Sequence, residues 1–167
     1  MSSIKDIRVF NHQQEWDTKS GGTLRVLYAL DYSIARDFLS FHEATDTNHA
    51  DIRGIRSYVV HDIPKGKIGA NEWHKIRNEI ITVLNGSIKW TCTDTEGNEA
   101  QFVINKGTAV FTPNHILHRY ESLEEHTALT VLANTIFQPG DPTTHDTYPA
   151  ETFPALQTSK LDDILVL

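Results

Sequence analysis

The chain has 167 residues and a formal net charge of −7, from 15 basic and 22 acidic residues. This length fits one compact domain, and the acidic balance excludes nucleic acid and anionic membranes as main partners, because both need clustered Lys and Arg. A single cysteine excludes an internal disulfide framework. With no signal-peptide core and no run of roughly 20 apolar residues, the chain is expected to be cytoplasmic.

Most of the chain alternates apolar and polar residues with a period of two, which is typical of strands. Turn signals such as Asn85-Gly86 and Lys106-Gly107 separate the runs. Strands are predicted, in chain order, at residues 24–30, 55–60, 79–84, 87–93, 101–104, 108–112, 117–121 and 128–133. Many short strands at this spacing predict an all-β sandwich or barrel.

Two segments depart from this pattern. Residues 33–51 mix apolar and polar side chains and are interpreted as a strand followed by a loop over the barrel mouth. Residues 138–167 are proline-rich and are interpreted as an extended arm or a frayed terminus, not as a separate domain. Residues 1–137 then form the single barrel domain with its N-terminal strand.

Polar residues suited to chemistry occur at the predicted strand ends. Glu72 and His74 are two residues apart and therefore share one face of a strand. Glu79 begins the next strand, and His118 begins a later one. In a closed small barrel the inward positions of neighbouring strands converge, so two imidazoles and two carboxylates should meet in one cavity. Buried carboxylates there need a cation, a protonated histidine or water beside them.

The same residues carry a resemblance to the cupin superfamily, whose first motif contains a glycine, two histidines, a glutamate and a second glycine. Gly66, Glu72, His74, Glu79 and Gly86 stand at these positions with the motif's spacing. The second motif is matched by Gly107, Pro113 and His118, while Glu72, His115 and Ser122 replace a histidine, a glycine and an asparagine. The resemblance implies a double-stranded β-helix, or jelly-roll barrel.

A narrower resemblance covers the run from Arg56 to Lys89. It is similar to the WxcM-like group of sugar-nucleotide cupins, which includes the dTDP-sugar 3,4-ketoisomerases. The positions in register are Arg56, Tyr58, Pro64, Gly66, His74, Lys75, Gly86 and Ser87. The resemblance implies an isomerase or epimerase that removes a proton next to the ketone of a nucleotide-linked 4-keto-deoxy sugar, in cell-surface polysaccharide biosynthesis. The group uses two histidines as acid and base; here Glu72 replaces the first.

This reading assigns roles to named side chains. His74 and Glu72 form a base and its partner, and Tyr58 and Tyr120 are proton-donor candidates. Cations suited to a diphosphate are Arg56, Lys75 and Arg25.

Two alternatives remain open. Glu72, His74, Glu79 and His118 could instead hold Fe, Mn, Ni or Zn, since imidazole and carboxylate ligands suit these ions. A metal-dependent dioxygenase or lyase would follow from that. For Glu79 alone, the alternative role is an ion pair with Arg77 or Lys75. The other functional alternative is a cupin that binds a ligand without turnover. A homodimer is predicted because pairing covers exposed strand edges, with residues 7–10 and the proline-rich arm as contact candidates.

Overall fold

A computed structural model describes residues 1–11, 15–40 and 52–154 of the chain. The helix α1 spans Tyr32–Leu39. The strands are β1 (Arg8–Phe10), β2 (Glu15–Asp17), β3 (Thr23–Arg25), β4 (Arg53–Ile63), β5 (Ile68–Trp73), β6 (Glu79–Asn85), β7 (Ser87–Thr93), β8 (Glu99–Asn105), β9 (Ala109–Thr112), β10 (Leu117–Ser122), β11 (Thr127–Thr135) and β12 (Tyr148–Pro149). Short 3₁₀ turns cover Ile4–Asp6, Pro142–Thr144 and Ala150–Thr152.

Ten of the strands form two five-stranded antiparallel sheets, ordered β1-β9-β6-β11-β4 and β12-β5-β10-β7-β8. Their inner faces enclose one apolar core, because alternate residues of each strand point between the sheets. The core residues are Ile63, Ile81, Val83, Ile88, Trp90, Cys92, Ile104, Val110, Ile116, Leu129 and Val131. The all-β, single-domain cupin barrel expected from the sequence is confirmed.

The strand predicted at residues 24–30 is wrong for most of its length. Only Thr23–Arg25 is a strand, paired with β2 in a small hairpin, and none of residues 26–30 is fully buried. Tyr28 and Leu30 instead pack on the outer face of the first sheet, in a second cluster around Ile80 and Phe111. Their apolar character is satisfied by this outer packing, without strand pairing.

The strand predicted at the start of residues 33–51 is also wrong, because the chain forms α1 there. Asp31 caps this helix by accepting a hydrogen bond from the Ile34 backbone N–H at 2.9 Å. Ile34 and Phe38, four residues apart, lie on one helix face, and Phe38 packs edge-on against Phe111 with ring centroids 6.4 Å apart. The rest of the predicted loop, residues 41–51, lies outside the described residues.

Two further features frame the barrel. The described part of the proline-rich arm returns to β5, where Tyr148 pairs with Trp73; residues 155–167 lie outside the described part. The N-terminal strand β1 pairs with β9 of its own chain and is the edge strand of the first sheet, so its part in a dimer stays a prediction. Within the described ranges, no helix is long and apolar enough to cross a membrane.

Candidate functional site

A bulge in β5 aims Glu72 and His74 into the barrel. The pairing of β5 with β10 shifts register between His118 and Arg119, where Ala70 and Asn71 adopt positive φ angles of 58° and 66°. Such a bulge inserts a residue and re-aims the side chains after it. Trp73, between the two, packs outward against Tyr148 with ring centroids 4.6 Å apart, so Glu72 and His74 point to the interior.

The four polar side chains predicted to converge do so. Glu72 lies opposite His118 in the β5–β10 pairing, while Glu79 reaches in from β6 of the other sheet. Oε2 of Glu79 lies 3.6 Å from Nε2 of His74 and 3.6 Å from Nε2 of His118. Oε1 of Glu72 lies 3.8 Å from the same nitrogen of His74. His74, Glu79 and His118 are buried, whereas Glu72 is partly exposed.

Backbone carbonyls fix the protonation pattern of both imidazoles. Nδ1 of His74 lies 2.6 Å from the Asp146 carbonyl oxygen, and Nδ1 of His118 lies 3.0 Å from that of Ile116. A carbonyl only accepts, so each Nδ1 carries a hydrogen. Both Nε2 atoms are buried and have no hydrogen-bond partner among the described residues. When either imidazole is neutral, its Nε2 lone pair therefore faces the Glu79 carboxylate. Two electron-rich groups at this distance are stabilised by a proton or another cation between them.

The electrostatics of the buried core of the site follow from this arrangement. Burial raises the pKa of Glu79, but His74, His118 and Arg77 outweigh it and hold that pKa well below its usual range. Nη1 of Arg77 donates to Oε1 of Glu79 at 3.3 Å, the alternative pairing considered from the sequence. Burial, followed by the charge of His74, lowers the pKa of His118 to about 4. His118 is therefore neutral at neutral pH.

The donor set fits a divalent transition metal. Ligand atoms of Glu72, His74 and His118 all lie within 4.8 Å of one another, and Glu79 is 3.6 Å from both imidazoles. Ligands about 2.1 Å from a tetrahedral ion stand about 3.4 Å apart, so small side-chain movements would close the set. The Nδ1 bonds to carbonyls match the outer partners that orient metal-ligating histidines.

The cluster borders a cavity of about 180 Å³ inside the barrel, lined in part by Tyr58, Glu72, Glu79, Trp90, His118 and Tyr120. A wider mouth of about 410 Å³ adjoins it at Tyr58 and Glu72. Oη of Tyr58 donates to Oε1 of Glu79 at 3.3 Å. Burial, followed by Glu79, raises the pKa of Tyr58, and burial with Glu72 raises that of Tyr120. Both phenols therefore keep their protons at neutral pH.

Of the three predicted substrate cations, the structure brings one to the mouth. Arg56 lies between the rings of Tyr58 and Phe137, 5.3 and 5.0 Å from their centroids. Lys75 lies over the ring of Tyr148, outside the residues that line the cavity and mouth. Arg25 pairs with Glu15 on the β2–β3 hairpin and contacts neither space.

Several site residues were missed from the sequence. Phe137 lines the mouth, Trp90 stacks on His118, and Asp146 bonds His74. Arg77, considered from the sequence only as a partner of Glu79, also lines the mouth. No local pattern links Asp146 to the site, because it lies over 70 residues from its partner His74 in the sequence.

The sequence matches one known protein family over most of its length. A family model described as FdtA: WxcM-like, C-terminal matches residues 24–149. No curated protein matches the chain.

Solved structures share the fold at low identity. A 3,4-ketoisomerase from Helicobacter canadensis has a TM-score of 0.64 at 14% identity, over 92% of this chain and 98% of its own. QdtA, a sugar 3,4-ketoisomerase from Thermoanaerobacterium thermosaccharolyticum solved with TDP, has a TM-score of 0.64 at 14%, over 95% and 98%. RmlC from Streptococcus suis, solved with dTDP-D-xylose, has a TM-score of 0.58 at 17%, over 82% and 68%.

Proposed function

The chain belongs to the WxcM-like, C-terminal family, and from this premise we propose that it is an isomerase or epimerase of a nucleotide-linked 4-keto-deoxy sugar. The observation that carries the proposal is the Nε2 of His74, which is buried without a hydrogen-bond partner among the described residues and lies 3.8 and 3.6 Å from carboxylate oxygens of Glu72 and Glu79, two residues that line the interior cavity. Among the solved neighbours, the sugar 3,4-ketoisomerase QdtA was solved with TDP, and a mutant of it was solved with TDP-4-keto-6-deoxyglucose. We place the reaction in the synthesis of cell-surface polysaccharides.

His74 is the base in this reaction. Its Nε2 takes the proton from the carbon next to the ketone, while Nδ1 stays bonded to the Asp146 carbonyl. The imidazolium that forms is stabilised by the carboxylates 3.6 and 3.8 Å away. Returning the proton to the former carbonyl carbon, with a hydroxyl proton moved between the oxygens, gives the isomer. Returning it to the same carbon from the other face gives the epimer.

The phenols serve the enediolate oxygen. Tyr58 and Tyr120 both line the interior cavity, and both remain protonated because their pKa values are raised. A protonated phenol donates a hydrogen bond to an oxygen that becomes negative as the reaction proceeds. We assign this role to them jointly.

Arg56 receives the diphosphate at the mouth. Two aromatic rings hold its guanidinium, and its Nε has no hydrogen-bond partner among the described residues. Burial, followed by the charge of Arg77, lowers the pKa of Arg56. Because the guanidinium groups of Arg56 and Arg77 repel each other, an anion bound beside them is stabilised. A planar guanidinium also matches the geometry of phosphate oxygens.

Deuterium exchange tests the proposal. Purified protein is incubated in D₂O with a panel of dTDP- and UDP-linked 4-keto-6-deoxyhexoses, and the sugars are analysed by mass spectrometry and NMR. We expect deuterium at the carbon next to the ketone, abolished in His74→Gln and retained in His61→Gln, whose imidazole is exposed. No exchange with any sugar of the panel would contradict the proposal.

A second candidate is a metal-dependent cupin such as a dioxygenase or lyase, favoured by the two unpaired Nε2 atoms that face Glu79. Glu72, His74, Glu79 and His118 would hold the ion. A bound divalent ion acts as a Lewis acid on a substrate oxygen. Metal content of protein grown without added metal is the test: close to one ion per chain, reduced in His118→Gln and unchanged in His61→Gln, supports it. Content far below this level rejects it.

We also propose a homodimer built on the edge of β4. Within the described strands β4 pairs only with β11, and its outward residues Ile55 and Val59 are 60% and 52% exposed. Antiparallel pairing of two β4 strands about Ser57 would place Ile55 of one opposite Val59 of the other, as a two-fold interface requires. Light scattering should give twice the 18.9 kDa chain mass. Val59→Lys should yield monomers, whereas Val103→Lys, on the edge strand β8, should not.

A further inference from the structure

Asp146 is a buried carboxylate on the C-terminal arm that binds three consecutive backbone N–H groups. Oδ1 accepts from Lys75 at 3.0 Å, and Oδ2 accepts from Ile76 at 2.9 Å and from Arg77 at 2.7 Å. These residues form the turn between β5 and β6. Because Asp146 is fully buried, charge-assisted bonds of this kind are strong and restrict the turn closely.

The main chain of the same residue acts on the imidazole that opens this turn. The Asp146 carbonyl accepts from Nδ1 of His74 at 2.6 Å. In a neutral ring, a hydrogen held on Nδ1 leaves the lone pair on Nε2, which lies next to the carboxylates of Glu72 and Glu79 at the cavity. Asp146 therefore contacts the turn through its carboxylate and the imidazole through its carbonyl.

The residues after Asp146 hold the arm in place. Oγ1 of Thr147 accepts from Nη2 of Arg77 at 3.1 Å. Tyr148 pairs with Trp73 across β12 and β5 and stacks on it. Residues 146–148 thus contact the chain on both sides of His74. The hydrogen bonds of the Asp146 carboxylate, together with these contacts, fix the position of the Asp146 carbonyl.

We propose that Asp146 is a positioning residue for His74: its anchored carbonyl keeps the imidazole in the tautomer and orientation that present the Nε2 lone pair to the substrate. The proposal deepens the assigned function and rests on it only for the role of His74 as base. A purely structural role would predict lost stability without a change in the protonation pattern of the ring.

The test reads the ring nitrogens of His74 directly. Protein labelled with ¹⁵N-histidine is examined by NMR, with the His74 signals assigned from their loss in His74→Gln. For the neutral ring in the native chain we expect the hydrogen on Nδ1, bonded to the Asp146 carbonyl, and none on Nε2. Asp146→Ala should give a mixture of both tautomers and lower kcat by about tenfold with little change in KM. Asp146→Asn, which keeps one acceptor oxygen, should restore part of both.

Asp141→Asn is the matched control, because Asp141 lies on the same arm but caps only the turn at Thr143; it should leave the His74 signals unchanged. A native tautomer in folded Asp146→Ala would overturn the proposal. If that variant does not fold, Asp146→Asn alone decides, since a wholly native pattern with native kcat contradicts positioning by the carboxylate. A chain inactive on every keto-sugar still gives the tautomer result, so the two proposals fail separately.

Discussion

Trp90 and His118 lie face to face in the barrel interior, with ring centroids 5.3 Å apart and planes inclined by 12°. Trp90 is 1% exposed and belongs to the main core. The indole therefore supports both the packing of the two sheets and the orientation of His118, whose Nδ1 also bonds the Ile116 carbonyl.

Trp90→Ala should lower the free energy of unfolding by roughly 3–5 kcal/mol, because it opens a large cavity in a packed core. Trp90→Phe, which keeps a ring against His118, should retain most of that stability. Urea denaturation followed by circular dichroism measures both. Trp16→Ala is the control, since Trp16 is 44% exposed and should change stability by less than about 0.5 kcal/mol.

The stability of the barrel should fall with acid through His118. The pKa of this imidazole is lowered from its ordinary value of 6.5 to about 4 by burial, so the unfolded chain binds the extra proton first. Its contribution is present above pH 6.5 and is lost as the pH falls towards 4, on the order of 3 kcal/mol.

Unfolding free energies measured from pH 7.5 to 4 in the presence of a chelator test this dependence. His118→Gln cannot titrate and should flatten the curve, whereas His61→Gln, exposed on β4, should leave it as it is. Equal slopes for the native chain and His118→Gln would show that another group governs the acid limb.

Asn78 should be the most costly asparagine to replace. Its Nδ2 donates to the carbonyls of Asp37, Phe38 and Ser40 at the end of α1, and its Oδ1 accepts from Asn114. Asn78→Ala would leave several buried groups unpaired and should cost about 3 kcal/mol in unfolding free energy. Asn85→Ala, which loses one exposed bond to His126, should cost far less. Similar losses in the two variants would contradict this ranking.

The strands and the site differ in how far sequence reveals them. Strand β7 begins and ends where alternation predicts, because its apolar residues Ile88, Trp90 and Cys92 occur at every second position and all enter the core. The convergence of Glu72, His74, Glu79 and His118 also follows from motif spacing. In contrast, α1 depends on a local cap at Asp31 and on a surface formed by distant strands. The bond from Asp146 to His74 spans 72 positions, and no local pattern encodes such a contact.

Gly69 and Tyr120 give the last prediction. They are paired across β5 and β10, and a Cβ at position 69 would stand 2.2 Å from both Cζ and Oη of the phenol. The ring of Tyr120 therefore lies over the bare backbone of Gly69. Any side chain at this position must push the phenol away from the cavity wall that it now forms.

Gly69→Ala should accordingly cost roughly 1–3 kcal/mol through overpacking, and it should reduce turnover because the phenol is displaced. In a Tyr120→Val background the same alanine has no ring to displace, so its cost should largely vanish. A double-mutant cycle by urea denaturation measures the coupling, expected at about 0.5–3 kcal/mol for side chains in contact. Additive effects of the two substitutions would mean that the position of the Tyr120 ring does not depend on the missing side chain at Gly69. Gly140→Ala, where a Cβ meets nothing within 4 Å, provides the control for inserting a methyl group without a clash.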